Sequence, residues 1–216
     1  MPRHPRSIAA GIVLAAGLAV AALGSVRLAW AGEQAYEPMA ASVRSVLAAA
    51  IAGRDDPEPH FASVTEKIDW LAQMSAKLPR RWKPSYRQRV EFLTAVRYEA
   101  QRAGLEPELV LGLIEVESNF RKYAVSSAGA RGYMQVMPFW TDLIGDGDRA
   151  ALFNEPANLR YGCVILRHYL DIEGGNLFRA LGRYNGSLGR PEYPQAVQRA
   201  WERWRYRPRN VTTAAR

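Results

Sequence analysis

The run from Pro107 to Ser118, P-E-L-V-L-G-L-I-E-V-E-S, constrains the fold more than any other stretch of the chain. Pro107 stands where a first-turn proline is tolerated, and the residues behind it carry a helical apolar pattern. At about 100° per residue, Val110, Leu113, Ile114 and Glu117 share one stripe, while Glu115 points to nearly the opposite side. A helix of this kind must bury its stripe, and Glu117 goes inside with it. A carboxylate there loses hydration unless it is paired. Its pKa is therefore expected to rise toward roughly 6–7, the range that suits a general acid near neutral pH.

After the helix, Ser126-Ser127-Ala128-Gly129-Ala130-Arg131-Gly132 supplies small residues that let the backbone turn sharply and a ligand approach closely. Met134, Gln135, Met137 and Pro138 then offer an amide that can donate and accept, beside polarizable side chains that suit sugar hydroxyl and acetamido groups. The E-S pair at 117–118, the S-x-x-G-A turn from Ser126, the G-x-M-Q-x-M-P run and the Y-N-G at 184–186 follow one another in a fixed order. Together they resemble the soluble lytic transglycosylases, over roughly residues 85–205. The Asn154-Glu155-Pro156-Ala157-Asn158 opening, with Gly162 four residues further on, is similar to the same family.

That resemblance implies a lysozyme-like fold with Glu117 as the acid and base. It implies glycan contacts from Ser118, Ser126 and Gln135, a cleft wall at Met137, and Tyr184 with Asn185 facing the Glu from the far lobe. Tyr133 stands where the family usually has Leu, Ser127 where it often has Pro, and Arg183 where Ala commonly precedes Tyr-Asn. These departures bear on subsite preference rather than on the reaction.

Ahead of this region, residues 1–31 read as a signal peptide. Arg3 and Arg6 precede an uncharged apolar run from Ile8 to Val26, and Ala29-Trp30-Ala31 forms an A-x-A site. The run is longer than an ordinary signal core, so an uncleaved N-terminal membrane anchor is the competing reading. Either way the chain is expected to be exported to the periplasm or cell envelope. Residues 32–84 form a helical accessory region with a linker near 54–60, residues 85–205 the catalytic domain, and residues 206–216 a basic tail. Within the accessory region, Met39 to Ala52 and Ala62 to Leu78 are expected helices, the second with Val64, Ile68, Leu71 and Met74 at helical spacing. Trp70 is expected to pack onto the catalytic domain.

Further on, Tyr86 to Ala103 should be the first core helix and lie beside the Glu117 helix, to which it is joined by a short connection. Further helices are expected from Phe139 to Ile144, from Asn154 to Leu170, and from Tyr193 to Tyr206, the last with Trp201 and Trp204 as a core seam and an arginine-rich end read as a solvated tail. Tyr184, followed by Asn-Gly, is read as displayed to the cleft by a tight turn. No strand-like alternation of any length occurs. The fold class is thus mainly α, with at most a small β element near residues 124–135.

The formal net charge is +8. Three arginines and no acids lie in residues 1–31, so cleavage there would leave +5. A basic exported chain is attracted to anionic envelope polymers, whereas no nucleic-acid-binding motif is present. Cys163 is the only cysteine, which excludes an internal disulfide and suggests a buried thiol. His4, His60 and His168 are too scattered for a metal site, the Gly145-Asp146-Gly147-Asp148 loop lacks the ligand set of an EF-hand, and no cofactor is called for.

No second acid is well placed beside Glu117, whereas hydrolysing glycosidases usually use two. The family resemblance implies cleavage of the MurNAc-β-1,4-GlcNAc bond of peptidoglycan without water, closing a 1,6-anhydro ring. A goose-type-like muramidase on the same fold and a non-catalytic peptidoglycan-binding module are the alternatives.

Overall fold

The computed structural model describes residues 34, 36–53 and 58–209. The expected signal segment 1–31, residues 54–57 of the expected linker and residues 210–216 of the expected tail lie outside the described residues. Among the described residues eight α-helices follow in order: α1 Ala41–Ala52, α2 Val64–Lys77, α3 Tyr86–Arg102, α4 Pro107–Ser118, α5 Phe139–Ile144, α6 Glu155–Ile172, α7 Leu177–Asn185 and α8 Glu192–Trp204. A 3₁₀ turn at Arg149–Phe153 precedes α6. Among the described residues the only β pairing is a pair of isolated bridges, Val125 with Arg131 and Arg131 with Val136. The architecture is mainly helical with one minimal β element, as in a lysozyme-like domain.

Local chemistry sets the helix ends. Ser85 accepts from the Gln88 amide at 3.1 Å while the Gln88 side chain accepts from the Ser85 amide at 3.2 Å, a capping box that starts α3. Asn154 and Asn176 cap α6 and α7 one way only, their side chains accepting from the amides of Ala157 and Arg179. Helix α4 begins on Pro107 and ends at Asn119, whose left-handed backbone (φ 49°, ψ 44°) turns the chain out of the helix immediately after Glu117 and Ser118.

Helix α4 is the axis of the core. Leu109 to Ile114 are all buried on it, and α3 and α8 pack against it. The end of α4 meets the start of α8, and Gly112 lets the two backbones touch: a Cβ there would stand 2.6 Å from the Trp201 amide nitrogen. That close approach fixes the distance from α8 to the Glu117 end of α4.

The accessory helix α2 docks differently from the expected stripe. Val64 and Ile68 are exposed, and Trp70, Leu71, Met74 and Ser75 face inward. Trp70 decides the rotation. Its ring is fully buried and its indole N–H donates to Glu108 Oε1 at 2.6 Å, at the head of α4. Burying a Trp is worth on the order of 4–6 kcal/mol of transfer free energy, more than either aliphatic on the outer face could contribute. Trp70, Leu71 and Met74 accordingly belong to the same apolar core as Leu93 and Leu111. Helix α1 has no fully buried residue, and Arg160 of α6 holds its C-terminal end through the carbonyls of Ile51 and Gly53.

The arginine-rich end is exposed where it leaves α8, as expected, but it is also tethered. Tyr206 and Arg209 bond to Asp69, Gln73 donates to the Arg207 carbonyl at 2.7 Å, and Lys77 donates to the Arg205 carbonyl at 3.0 Å. Polar groups along α2 thus hold residues 205–209, a pairing invisible to a reading of the tail's charge alone. Cys163 is buried, and burial pushes its thiol well above the ordinary range.

Candidate active site

Glu117 occupies the last turn of α4 and is 2% exposed. Burial drives its pKa up to about 8, and a hydrogen bond from the Tyr193 hydroxyl to Oε1 acts in the opposite sense. Oε2 is buried without a partner. A protonated carboxyl at neutral pH with one oxygen held and the other uncommitted is a group ready to give a proton. Among the described residues no carboxylate contributes to the shift.

Two tyrosines share this chamber. Tyr193, at the start of α8, and Tyr184, near the end of α7, are both fully buried, and both are held neutral chiefly by burial and then by the Glu117 charge. The Tyr184 hydroxyl donates to the Met134 carbonyl at 2.8 Å. It is therefore not displayed by a turn. Gly186 does adopt the left-handed conformation (φ 75°), but as the cap of α7, and Tyr184 points inward from the helix behind it. Asn185 is 5% exposed, with an Nδ2 that lacks a partner.

The segment from Ala124 to Val136 forms the wall beside α4. Ser126 closes its turn by accepting from the Ala130 amide at 3.1 Å through its hydroxyl, and by a 3.0 Å backbone bond to the Ala130 carbonyl. Gln135 has a positive φ of 47° and donates its amide to the carbonyls of Ala124 at 3.2 Å and Gly132 at 2.9 Å. Ser118 donates to the Tyr133 carbonyl at 2.7 Å, tying the helix end to this wall. Met137 is half-buried and packs on the core. In this state Ser118, Ser126 and the Gln135 amide nitrogen are engaged with backbone carbonyls and amides, which shapes the wall.

Asn158 of α6 clamps the wall from behind. It accepts from the Met134 amide at 2.9 Å and donates to the carbonyls of Arg131 and Leu152, each at 2.9 Å. Gly132 (φ 76°) passes so close that a Cβ would meet Asn158 Nδ2 at 2.4 Å. Both residues fall in the motifs that carry the family resemblance, and here their reason is geometric.

The sequence matches the family model described as "Transglycosylase SLT domain" over residues 94–206. The chain belongs to the transglycosylase SLT domain family. The SLT region is 38% identical over 114 residues to a protein named "Membrane-bound lytic murein transglycosylase C" from Actinobacillus pleuropneumoniae, an alignment covering 46% of this chain and 31% of that protein. It is 46% identical over 114 residues to the protein of that name from Haemophilus influenzae, covering 46% of this chain and 32% of the other. The chain thus spans about a third of the length of the curated relatives it matches. All of Glu117, Gln135, Tyr184 and Tyr193 lie within the matched SLT region.

Tyr193 is the functional candidate that the sequence reading passes over. Its only signal is its place at the head of a helix that must pack on α4, beside the end that carries Glu117. Among the described residues no group of His, Cys, Asp and Glu could hold a metal ion.

Proposed function

We propose that this chain is a peptidoglycan lytic transglycosylase, cleaving the MurNAc-β-1,4-GlcNAc bond to leave 1,6-anhydro muramoyl ends. The observation that carries this reading is the lone buried Glu117 with its pKa near 8. Protonated at neutral pH, Glu117 gives its proton to the glycosidic oxygen as the C1–O bond breaks, and the N-acetylglucosamine side leaves as an alcohol. The carboxylate so formed takes the proton of the muramoyl C6 hydroxyl as that oxygen bonds to C1. Glu117 ends the cycle protonated, and no water is consumed.

Tyr193 fits the second half of this cycle. Its hydroxyl donates to Glu117 Oε1 and so stabilises the carboxylate that exists only between the two proton transfers. An attacking hydroxyl on the same sugar ring needs no second carboxylate, because the reaction is intramolecular. Gln135, Met137, Tyr184 and Asn185 are proposed to contact the glycan, with Ser118 and Ser126 supporting the wall that carries the contacts. The envelope is the proposed location. No described helix is long and apolar enough to cross a membrane, and the apolar run within residues 1–31 is the proposed anchor where it is not cleaved.

The test is Glu117→Gln, which keeps shape and hydrogen-bonding capacity but has no proton to give. Turnover of purified murein should fall by orders of magnitude while glycan binding persists. Retained turnover would end this reading, and lost binding would favour a structural role for the residue.

A further inference from the structure

The centre described above is closed. Glu117, Gln135, Tyr184, Asn185 and Tyr193 are each at most 5% exposed, so a polysaccharide cannot reach the acid without displacing something. A short N-terminal strap lies against the site. Gln34 is 4% exposed, and its Oε1 accepts from the Trp140 indole N–H at 2.8 Å. The Gln34 amide lies beside the Tyr184 hydroxyl, although its Nε2 completes no hydrogen bond.

What holds the strap is weak and outward-facing. Glu37 accepts from Arg183 at 2.9 Å with half of its side chain in solvent, and Tyr36, largely exposed, meets Phe139 edge-on with ring centres 6.0 Å apart. Beside it lies a cavity of about 200 Å³ bounded by Glu37, Met39, Phe139, Trp140, His168 and Tyr169. Exposed ion pairs and single aromatic edges contribute little to stability, so the strap can lift without unfolding what lies beneath. Trp140 cannot lift. Its ring is 2% exposed, tilted against Phe139 and edge-on to His168 and Tyr169.

A buried indole N–H needs an acceptor, and the one it has comes from a removable segment. The group supplied is a carboxamide, which presents one carbonyl and one N–H side, as does the acetamido group of an N-acetyl sugar. The Tyr184 hydroxyl, already donating to Met134, has only acceptor capacity left for an incoming N–H. The unpaired Gln34 Nε2 marks an imperfect occupant.

We propose that Trp140 Nε1 and the Tyr184 hydroxyl form a subsite for the acetamido group of an N-acetyl sugar, occupied by the chain's own Gln34 while the strap is down. The inference rests on the reading of the site as one that takes an N-acetylated glycan. The strap then competes with substrate, and Trp140 selects acetylated over deacetylated sugar.

The test follows indole N–H signals of the full chain, labelled at tryptophan nitrogen, while an N-acetylglucosamine tetramer or its deacetylated counterpart is added. Six tryptophans give six signals, and Trp140→Phe, which keeps the ring packing, identifies the one to follow. The acetylated tetramer should move the Trp140 signal and the deacetylated one should not. Gln34→Ala should tighten binding of the acetylated tetramer about tenfold, the factor expected if the strap is down nine-tenths of the time. Trp140→Phe should weaken binding and abolish the gain from Gln34→Ala. An unmoved Trp140 signal, an equal response to the deacetylated tetramer, or unchanged affinity in Gln34→Ala overturns the proposal. Binding is read without turnover, so a chain that shows these shifts but releases no anhydro products would keep the subsite and lose the reaction. Anhydro products with an unmoved Trp140 signal would do the reverse.

Discussion

The Tyr193 hydroxyl and the Glu117 carboxyl, 76 residues apart in sequence, form one hydrogen bond inside the core, and among the described residues it is the only side-chain contact that moderates the acid. It joins the end of α4 to the start of α8, the two helices that Gly112 brings together.

Tyr193→Phe removes that donor without changing the ring. The bond lowers the Glu117 pKa against the burial that raises it, so its loss should move the pKa further up. Turnover should fall by roughly 10- to 100-fold, because the carboxylate between the two proton transfers loses its donor and its position. The limb of the pH profile set by Glu117 should shift to higher pH. Reduced activity with an unmoved profile would make Tyr193 a packing residue.

Stability should carry the same signature. Glu117 has a folded pKa near 8 against an ordinary 4.5, so between those values the folded chain holds a proton that the unfolded chain releases. Its contribution is unpenalised below about pH 4.5 and declines as pH rises toward 8, at about 1.4 kcal/mol per pH unit. Glu117→Gln should therefore gain stability over the parent from pH 5 to pH 8, read as a widening gap between urea midpoints. A constant gap would mean that the carboxyl is ionised in the fold.

Gly132→Ala should cost about 2–4 kcal/mol, since the positive φ and the approach to Asn158 and the Leu152 carbonyl act together. Asn158→Ala should cost a similar amount by releasing two backbone groups of the wall and the Leu152 carbonyl of the 3₁₀ turn. The double variant should cost less than the sum, because both act on one contact. Additivity in urea unfolding would separate them.

Much of this was readable from spacing. The α4 stripe placed Glu117 inside because 3.6-residue periodicity depends on no other part of the chain, and the turn residues from Ser126 to Gly132 announced the single β element. What escaped the sequence depends on which surfaces meet. Spacing alone puts Val64 and Ile68 on the inner face of α2, whereas the Trp70–Glu108 bond turns them out, and nothing local to the largely exposed residues 205–209 shows that Asp69 tethers them. Tyr184 was read as displayed by its Asn-Gly neighbour, yet its hydroxyl is spent on a carbonyl 50 residues away. Tyr193 gave no local sign at all. Such pairings join distant segments, and no window along the chain contains both partners.

The most direct measurement digests purified murein with this chain in oxygen-18 water and identifies the released muropeptides by mass spectrometry. If Glu117 is acid and then base to the sugar's own C6 hydroxyl, the muramoyl ends will be 1,6-anhydro and free of label, and Glu117→Gln will release none. Muramoyl ends carrying oxygen-18 at C1 would mean that water is the nucleophile, and the account of a single acid serving an intramolecular ring closure would be contradicted.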